Sequence, residues 1–140
     1  TMIITSKKEI DQLSYKIIGA AIEVHRHLGP GLLESVYQKC LAIEFANQEI
    51  IFRQELKVPL EYKGQRIDTE FRCDFLVEEL IVVELKSVSE LLPIHQAQVI
   101  NYINLLKVPK GILINFNVSN LFHQGQKTFV NKYYDALDPF

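Results

Sequence analysis

The sequence lacks several features that would point directly to a class of protein. It has only two cysteines, Cys40 and Cys73, and each lies in an apolar periodic segment with no C-x-x-C pattern and no close histidine. Such cysteines are expected to be reduced core residues, which predicts a cytoplasmic protein. No apolar run approaches the ~20 residues of a membrane span, and no signal-peptide pattern opens the chain. The sequence therefore predicts neither a membrane protein nor a disulfide-rich secreted one.

An excess of charge of one sign is also missing. Lys and Arg total 15 and Asp and Glu total 17, which gives a net charge of −2. No overall field draws such a chain to nucleic acid or to anionic lipid, so a partner of that kind must meet a local patch. There is no linker, repeat or low-complexity segment, and 48% of the 140 residues are hydrophobic. We expect a single domain over residues 1–140 with an ordinary core.

The hydrophobic periodicity alternates between helix and strand along the chain. Spacings of three and four predict helices over residues 7–27, from near residue 32 to the polar Asn47-Gln48, and from a Ser89-Glu90 cap to residue 106. Period-two or continuous apolar runs predict strands over residues 50–62, 66–77, 81–87, 111–116 and 127–133, with a loose tail from 135 to 140. A helix between two apolar strands favours a parallel crossover. The expected fold is α/β, with a mixed central sheet flanked by helices.

Residues 71–87 contain two alternating apolar runs that predict a hairpin. A two-residue loop would point its acidic residues to opposite faces. A three-residue loop over Glu78-Glu79-Leu80 collects the apolar pairs on one face, and a slip of one residue would undo this. The register so predicted pairs Val77 with Ile81, Phe75 with Val83 and Cys73 with Leu85.

The same register sets Asp74 across from Glu84 and Arg72 across from Lys86, with facing Cβ atoms about 4.5–5.5 Å apart. Two carboxylates at that distance repel each other unless a cation lies between them. Oxygen ligands select a hard divalent ion such as Mg2+ or Mn2+. The alternative is that these polar residues are simply the solvated side of a hairpin. Apolar residues on both sides of Glu84-Leu85-Lys86 favour the metal site, because an interior strand makes an unpaired carboxylate costly.

Several short motifs occur in a fixed order along the chain. Residues 31–37 read G-x-x-E-x-x-Y, and F-R-C-D, V-E-L-K, Q-V-I-N-Y and G-I-L-I-N-F follow. In this order and spacing the chain resembles the GxxExxY proteins, a small group similar to the PD-(D/E)XK nuclease superfamily. The resemblance implies a restriction-endonuclease-like fold and a metal-dependent nuclease.

The resemblance also implies roles for individual residues. Asp74, Glu84 and the Leu85 carbonyl would bind Mg2+ or Mn2+. Lys86 would orient or deprotonate the attacking water and stabilise the phosphate. Glu34 would reach the site from the second helix as a further metal or outer-shell ligand. Each acid and base also has a structural alternative, since Glu34 suits the first turn of a helix and Lys86 could be a salt-bridge partner of Glu84.

Four further residues complete the predicted site. Gln98 and Tyr102 resemble a Q-x-x-x-Y helix motif that lies beside the catalytic strands and touches DNA in exonucleases of the superfamily. Gln98 is counted with the catalytic residues, and Tyr102, Arg72 and Tyr37 with the substrate-binding ones. Gln98 and Tyr102 could instead be an ordinary i, i+4 pair that packs on the sheet.

Two functions from different classes are compatible with the sequence. The first is a metal-dependent nuclease acting on nucleic acid, with DNA as the expected partner. The second is a non-catalytic module that binds a nucleotide, a nucleic acid or a protein on the same fold. The complete D…E-x-K residues favour the nuclease, whereas the small size and the near-neutral charge favour the module. The sequence leaves open the substrate and the oligomeric state, a homo-oligomer included.

Overall fold

The computed structural model describes residues 5–140, which form a five-stranded sheet with helices packed on both faces. The strands in this range are β1 (Phe52–Lys57), β2 (Leu60–Tyr62), β3 (Gln65–Ile67), β4 (Arg72–Val77), β5 (Ile81–Lys86), β6 (Lys110–Asn115) and β7 (Gln126–Val130). The helices are α1 (Lys7–Leu28), α2 (Glu34–Asn47), α3 (Pro93–Leu105), α4 (Leu121–Gln124) and α5 (Lys132–Asp135). The predicted α/β class with a mixed central sheet is confirmed.

The sheet has the order β1-β4-β5-β6-β7. β5 pairs with β6 in parallel, whereas the other neighbours are antiparallel. The parallel pair requires a crossover, and α3 provides it as predicted. The strand order makes β4 and β5 interior strands, and these two strands contain Asp74, Glu84 and Lys86.

α1 and α2 cover one face of the sheet. α1 begins where the Ser6 side chain accepts the Glu9 backbone N–H, and it ends at Gly29, whose φ of 67° favours glycine. The apolar sides of both helices pack on alternate residues of β4, β5 and β6. The fully buried members of this cluster include Ile10, Ile17, Tyr37, Leu41, Phe45, Phe75, Val77, Ile81, Val83, Leu85, Ile112 and Ile114.

The segment between β1 and β4 differs from the prediction. The expected strands over residues 50–62 and 66–77 are each interrupted, and β2 and β3 form a separate two-stranded sheet. Pro59 has no N–H to donate to a ladder, so it ends the first run. The predicted turn is confirmed at Lys63-Gly64, where both φ angles are positive. This hairpin lies outside the central sheet.

α3 packs on the opposite face of the sheet. Its predicted cap at Ser89-Glu90 is wrong, because the helix begins at Pro93 with Leu92 as its N-cap residue. Proline suits the first helical position, where its missing N–H has no partner to lose. The helix lies close over Gly111, since a Cβ built there would come within 2.5 Å of Val99 Cγ1. Glycine at this position thus sets how closely α3 approaches β6.

The C-terminal segment also differs from the prediction. The strand expected over residues 127–133 ends at Val130, and α5 follows. The tail expected to be loose is tied to the start of α1, where the Lys7 N–H donates to the Asp138 carbonyl over 2.8 Å. Both cysteines are free thiols; Cys73 is buried and Cys40 is half-buried. None of the helices within residues 5–140 is long and apolar enough to span a membrane.

Candidate functional site

The site centres on the open end of the β4–β5 hairpin. The predicted three-residue loop is confirmed, with Val77 opposite Ile81 and Phe75 opposite Val83. The third apolar pair is wrong, because Cys73 belongs to the cluster under α3 whereas Leu85 belongs to the cluster under α1 and α2. The backbone pairing of β4 with β5 ends at Phe75 and Val83. Beyond that pair, towards the open end of the hairpin, the two strands are joined by side-chain hydrogen bonds.

Asp74 and Glu84 supply those side-chain bonds. The Asp74 N–H donates to Glu84 Oε1 over 2.7 Å, and the Leu85 N–H donates to Asp74 Oδ2 over 2.7 Å. Glu84 alternates with Val83 and Leu85 of the α1 and α2 cluster, so it lies on the face covered by α3. The structure thus brings the two predicted carboxylates together, each bonded to the backbone of the other strand.

The pair is held away from solvent. Glu84 is only 4% exposed and Asp74 is half-buried. Burial raises the pKa of both carboxyls, and the charge of Asp74 raises the pKa of Glu84 further. The backbone N–H bonds oppose this rise without cancelling it. The repulsion between two such carboxylates is relieved when one of them is protonated or when a cation binds between them.

Glu34 approaches the pair from another element. It opens α2, and its charge raises the pKa of both Asp74 and Glu84. The preceding loop is fixed to the end of β5, since Ser87 Oγ donates to the Leu32 carbonyl over 2.6 Å. The predicted third acid therefore lies within electrostatic reach of the pair.

The donor set can be compared with what a metal ion requires. Within residues 5–140, no three His, Cys, Asp or Glu side chains are grouped closely enough to hold an ion by themselves. Mg2+ commonly takes one or two carboxylates and completes its shell with water and substrate phosphate. The buried Glu84 and the half-buried Asp74 fit that pattern, and the Leu85 carbonyl stays a predicted ligand. The residues present therefore fit a hard divalent cation bound partly by water.

Lys86 ends β5 on the same side of the sheet. It is half-buried and lines a cleft together with Gln98 and Tyr102 of α3. None of the ion pairs found among residues 5–140 includes Lys86, so the structure does not use it as a salt-bridge partner of Glu84. Its charge lowers the pKa of both Asp74 and Glu84, so Lys86 lines the cleft within electrostatic reach of the two acids.

Gln98 and Tyr102 form a hydrogen-bonded pair on α3. Gln98 Nε2 donates to the Tyr102 hydroxyl over 3.1 Å, and Tyr102 is only 4% exposed. Burial and then the charge of Glu84 raise the pKa of Tyr102. Tyr102 thus lies within electrostatic reach of the acids, whereas the roles of Gln98 and Tyr102 stay predictions. The half-buried Gln98 is the more accessible member of the pair.

The other two predicted substrate contacts lie apart from this group. Tyr37 is fully buried, stacks on Phe116 and donates its hydroxyl to the Gly29 carbonyl over 2.6 Å. It has no exposed surface for substrate, and its place in the G-x-x-E-x-x-Y pattern is explained by fixing the loop before Glu34. Arg72 is exposed and donates to the Glu55 carbonyl over 3.3 Å.

The outer wall of the cleft was not among the predicted features. Leu60, which begins β2, and Phe71, which directly precedes β4, line a cavity of about 630 Å³ together with Ile94 and Asn101 of α3. Ile94, Gln98, Asn101 and Leu105 follow at spacings of four, three and four. That spacing on the outer side of α3 is the signal that could have revealed the cleft.

Comparisons with known proteins agree with this geometry. A family model described as the PD-(D/E)XK nuclease superfamily matches residues 11–129, which include every residue of the candidate site. No curated protein and no solved structure matches the chain. The narrower GxxExxY grouping therefore stays a prediction from the motifs.

Proposed function

Because the chain belongs to the PD-(D/E)XK nuclease superfamily, we propose that it is a metal-dependent nuclease that hydrolyses phosphodiester bonds in nucleic acid, with DNA as the first candidate substrate. The observation that carries this proposal is that Asp74 and the buried Glu84 each bond to the backbone of the other strand, within reach of the charge of Lys86. The free cysteines agree with a cytoplasmic location. We further propose that residues 1–140 act as one domain.

Each residue has a distinct part in the proposed reaction. Asp74, Glu84 and the Leu85 carbonyl hold Mg2+ or Mn2+, and the bound ion supplies Lewis-acid activation of water and phosphate. Lys86 orients the attacking water and offsets the negative charge that develops on the phosphate. Glu34 adds negative charge at the edge of the ion site.

The remaining residues position the substrate. Gln98 presents its amide to the cleft, and Tyr102 holds that amide through its hydroxyl. Arg72 is exposed two residues before Asp74 on β4, and it is suited to a phosphate of the bound strand farther from the acids. Tyr37 acts at a distance, by fixing the loop that precedes Glu34.

Cleavage of a panel of single-stranded and duplex DNA and RNA with Mn2+ tests the proposal. Lys86→Ala should lower turnover by about 100-fold or more while Mn2+ affinity is kept, since a positioned acid–base group contributes roughly that much. Asp74→Ala should lose both turnover and Mn2+ binding. Lys127→Ala, which removes an exposed lysine on the edge strand β7, is the matched control and should cleave normally.

Two outcomes would count against the nuclease. Cleavage that survives unchanged in both Lys86→Ala and Asp74→Ala would come from a contaminant. No cleavage of any panel member would favour a non-catalytic binding module on this fold. The observation that favours the module is that, within the described residues, no three side chains form a ready-made metal cluster.

A further inference from the structure

The cleft beside Lys86 has a composition unlike that of a phosphate-binding groove. Its walls are Leu60 and Phe71 on one side and Ile94 on the other, and the amides of Gln98 and Asn101 open into it. Its volume of about 630 Å³ lies within the usual range for sites that bind small organic groups. The cleft therefore combines an apolar slot with groups that both donate and accept hydrogen bonds.

Phe71 gives the slot its specific shape. The residue is 46% exposed although it lines a cleft, and its ring centroid is 6.4 Å from that of Tyr102 at an interplanar angle of 49°. The two rings are tilted rather than stacked, and the exposure of Phe71 leaves part of its side chain accessible to a flat partner. An aromatic face together with amide groups suits a nucleobase, which stacks through its π system and bonds through its edge.

The charge of the cleft limits which nucleic acid can fill it. Among the residues that line it within the described part of the chain, Lys86 is the single lysine or arginine. A duplex held by its two phosphate backbones requires several such cations. A single nucleotide that places its phosphate at Lys86 and its base in the cleft requires only one cation.

We propose that this cleft takes one unstacked nucleobase next to the phosphate at Lys86, which makes single-stranded or frayed nucleic acid the preferred substrate class. The inference rests on the proposed function, because it is the nuclease reaction that places a phosphate at Lys86. Phe71 is the stacking platform, and Gln98 and Asn101 contact the edge of the base.

The absence of tryptophan from the chain allows a direct test. Phe71→Trp places a single indole in the cleft, and Phe122→Trp is the matched control, because Phe122 is another phenylalanine of similar exposure at 51%. The ligands are an oligothymidylate of about ten nucleotides, within the usual single-strand site size, an abasic strand of equal length and a blunt duplex. EDTA prevents cleavage. The expected result is a difference between the three ligands. We expect the oligothymidylate to quench the indole emission of the Phe71→Trp variant, and the abasic strand and the duplex to quench it far less. The emission of the Phe122→Trp variant should not change with any of the three ligands.

Binding of the labelled oligothymidylate to the alanine variants gives a second measurement. Phe71→Ala should weaken it at least about fivefold, the factor that matches the low end of base–aromatic stacking. Phe122→Ala should leave it unchanged, and circular dichroism checks that both variants fold. Equal quenching by the abasic strand, or equal affinity of Phe71→Ala and the parent chain, would overturn the inference.

These readouts separate the two proposals. Cleavage that does not depend on Phe71 would overturn the base-binding cleft and leave the nuclease in place. Base-dependent quenching without cleavage of any panel member would overturn the nuclease and support the cleft as a binding site.

Discussion

The two faces of the β4–β5 hairpin make opposite contributions to the protein. One face, called here the apolar face, consists of Phe75, Val77, Ile81, Val83 and Leu85, all of them fully buried under α1 and α2. The other, called here the acidic face, lies under α3 and contains Glu84 and Lys86, with Asp74 bonded across to β5 and with the apolar Leu76 and Val82 nearer the hairpin loop. Adjacent residues near the end of β5 thus lie in different surroundings, with Val83 and Leu85 among apolar side chains and Glu84 beside Asp74.

The difference shows how a strand can combine stability with a reactive site. Burying the apolar side chains is favourable, at roughly 1.5–3 kcal/mol for each large one. Burying carboxylates is unfavourable unless they are bonded and neutralised, and the raised pKa of both acids reflects that cost. The apolar face therefore holds in place a pair of acids that would otherwise favour exposure to water.

The largest expected effect comes from the apolar face. Phe75→Ala should lower the free energy of unfolding by about 3–5 kcal/mol, because it leaves a cavity among closely packed rings. Phe75 meets Phe45 and Phe52 edge-on at centroid distances of 5.2 and 5.5 Å. Urea unfolding measures the change, with the exposed Phe122→Ala as control. A loss below about 1 kcal/mol for Phe75→Ala would mean that this face is not the main source of stability.

A smaller effect is expected when a cation occupies the acidic face. Mg2+ or Mn2+ should raise the melting temperature, with about 2.7 kcal/mol of stabilisation at a free ion concentration 100 times Kd. Asp74→Asn should abolish the rise, since it removes one of the two negative charges. Asp135→Asn, an exposed acid on α5, is the control and should keep it. An equal rise in Asp74→Asn would place the bound ions elsewhere.

The fold also makes the acidic face sensitive to pH without metal. A carboxyl whose pKa is raised on folding binds more protons in the folded state, so stability falls as pH rises from the unfolded to the folded pKa. Glu84→Gln keeps the oxygen that accepts the Asp74 N–H and removes the charge. In EDTA at neutral pH we expect it to be more stable than the parent chain, by an amount on the order of 1 kcal/mol for each pKa unit of the rise.

That gain should shrink towards pH 4, where both chains carry a neutral side chain at this position. Melting curves of the two chains between about pH 4 and 8 measure the difference directly, which removes the contribution of the other acids. The exposed Glu90→Gln is the control, with little expected effect. A gain that is constant over this pH range would contradict the idea that burial of the Glu84 charge is unfavourable.

The sequence predicted the hairpin well, because both strands alternate with a period of two and only one register collects their apolar residues. The predicted ends of helices and strands were wrong where two local signals compete. Ser89-Glu90 has the form of a cap, but Pro93 fits the first helical position better and the helix begins there. Similarly, the run from 50 to 62 alternates well enough to suggest one strand, although Pro59 prevents a continuous ladder.

The site was predictable to the same extent as the hairpin that forms it. The register alone sets Asp74 near Glu84, so their proximity could be inferred. The cleft could not be predicted, because Leu60 begins the separate β2–β3 hairpin and the position of that hairpin against α3 depends on tertiary packing. The burial of Tyr37 could not be predicted either, because a motif residue can be part of the core as well as part of a binding site.

The smallest effect is expected at the loop before α2, which connects the helix layer of the apolar face with the end of β5. Glu34 belongs to the helix layer that covers the apolar face, yet its charge reaches the acids, and Ser87 fixes its loop to β5 through the Leu32 carbonyl. Ser87→Ala removes that bond and should lower the free energy of unfolding by about 0.5–1.5 kcal/mol. If Glu34 assists the ion, Mn2+ affinity should fall in Ser87→Ala and in Glu34→Gln alike, and the double variant should be no weaker than Glu34→Gln. Titration calorimetry with Mn2+ measures all three. Unchanged Mn2+ affinity in Glu34→Gln would confine the ion site to the hairpin and leave Glu34 as a residue that begins α2.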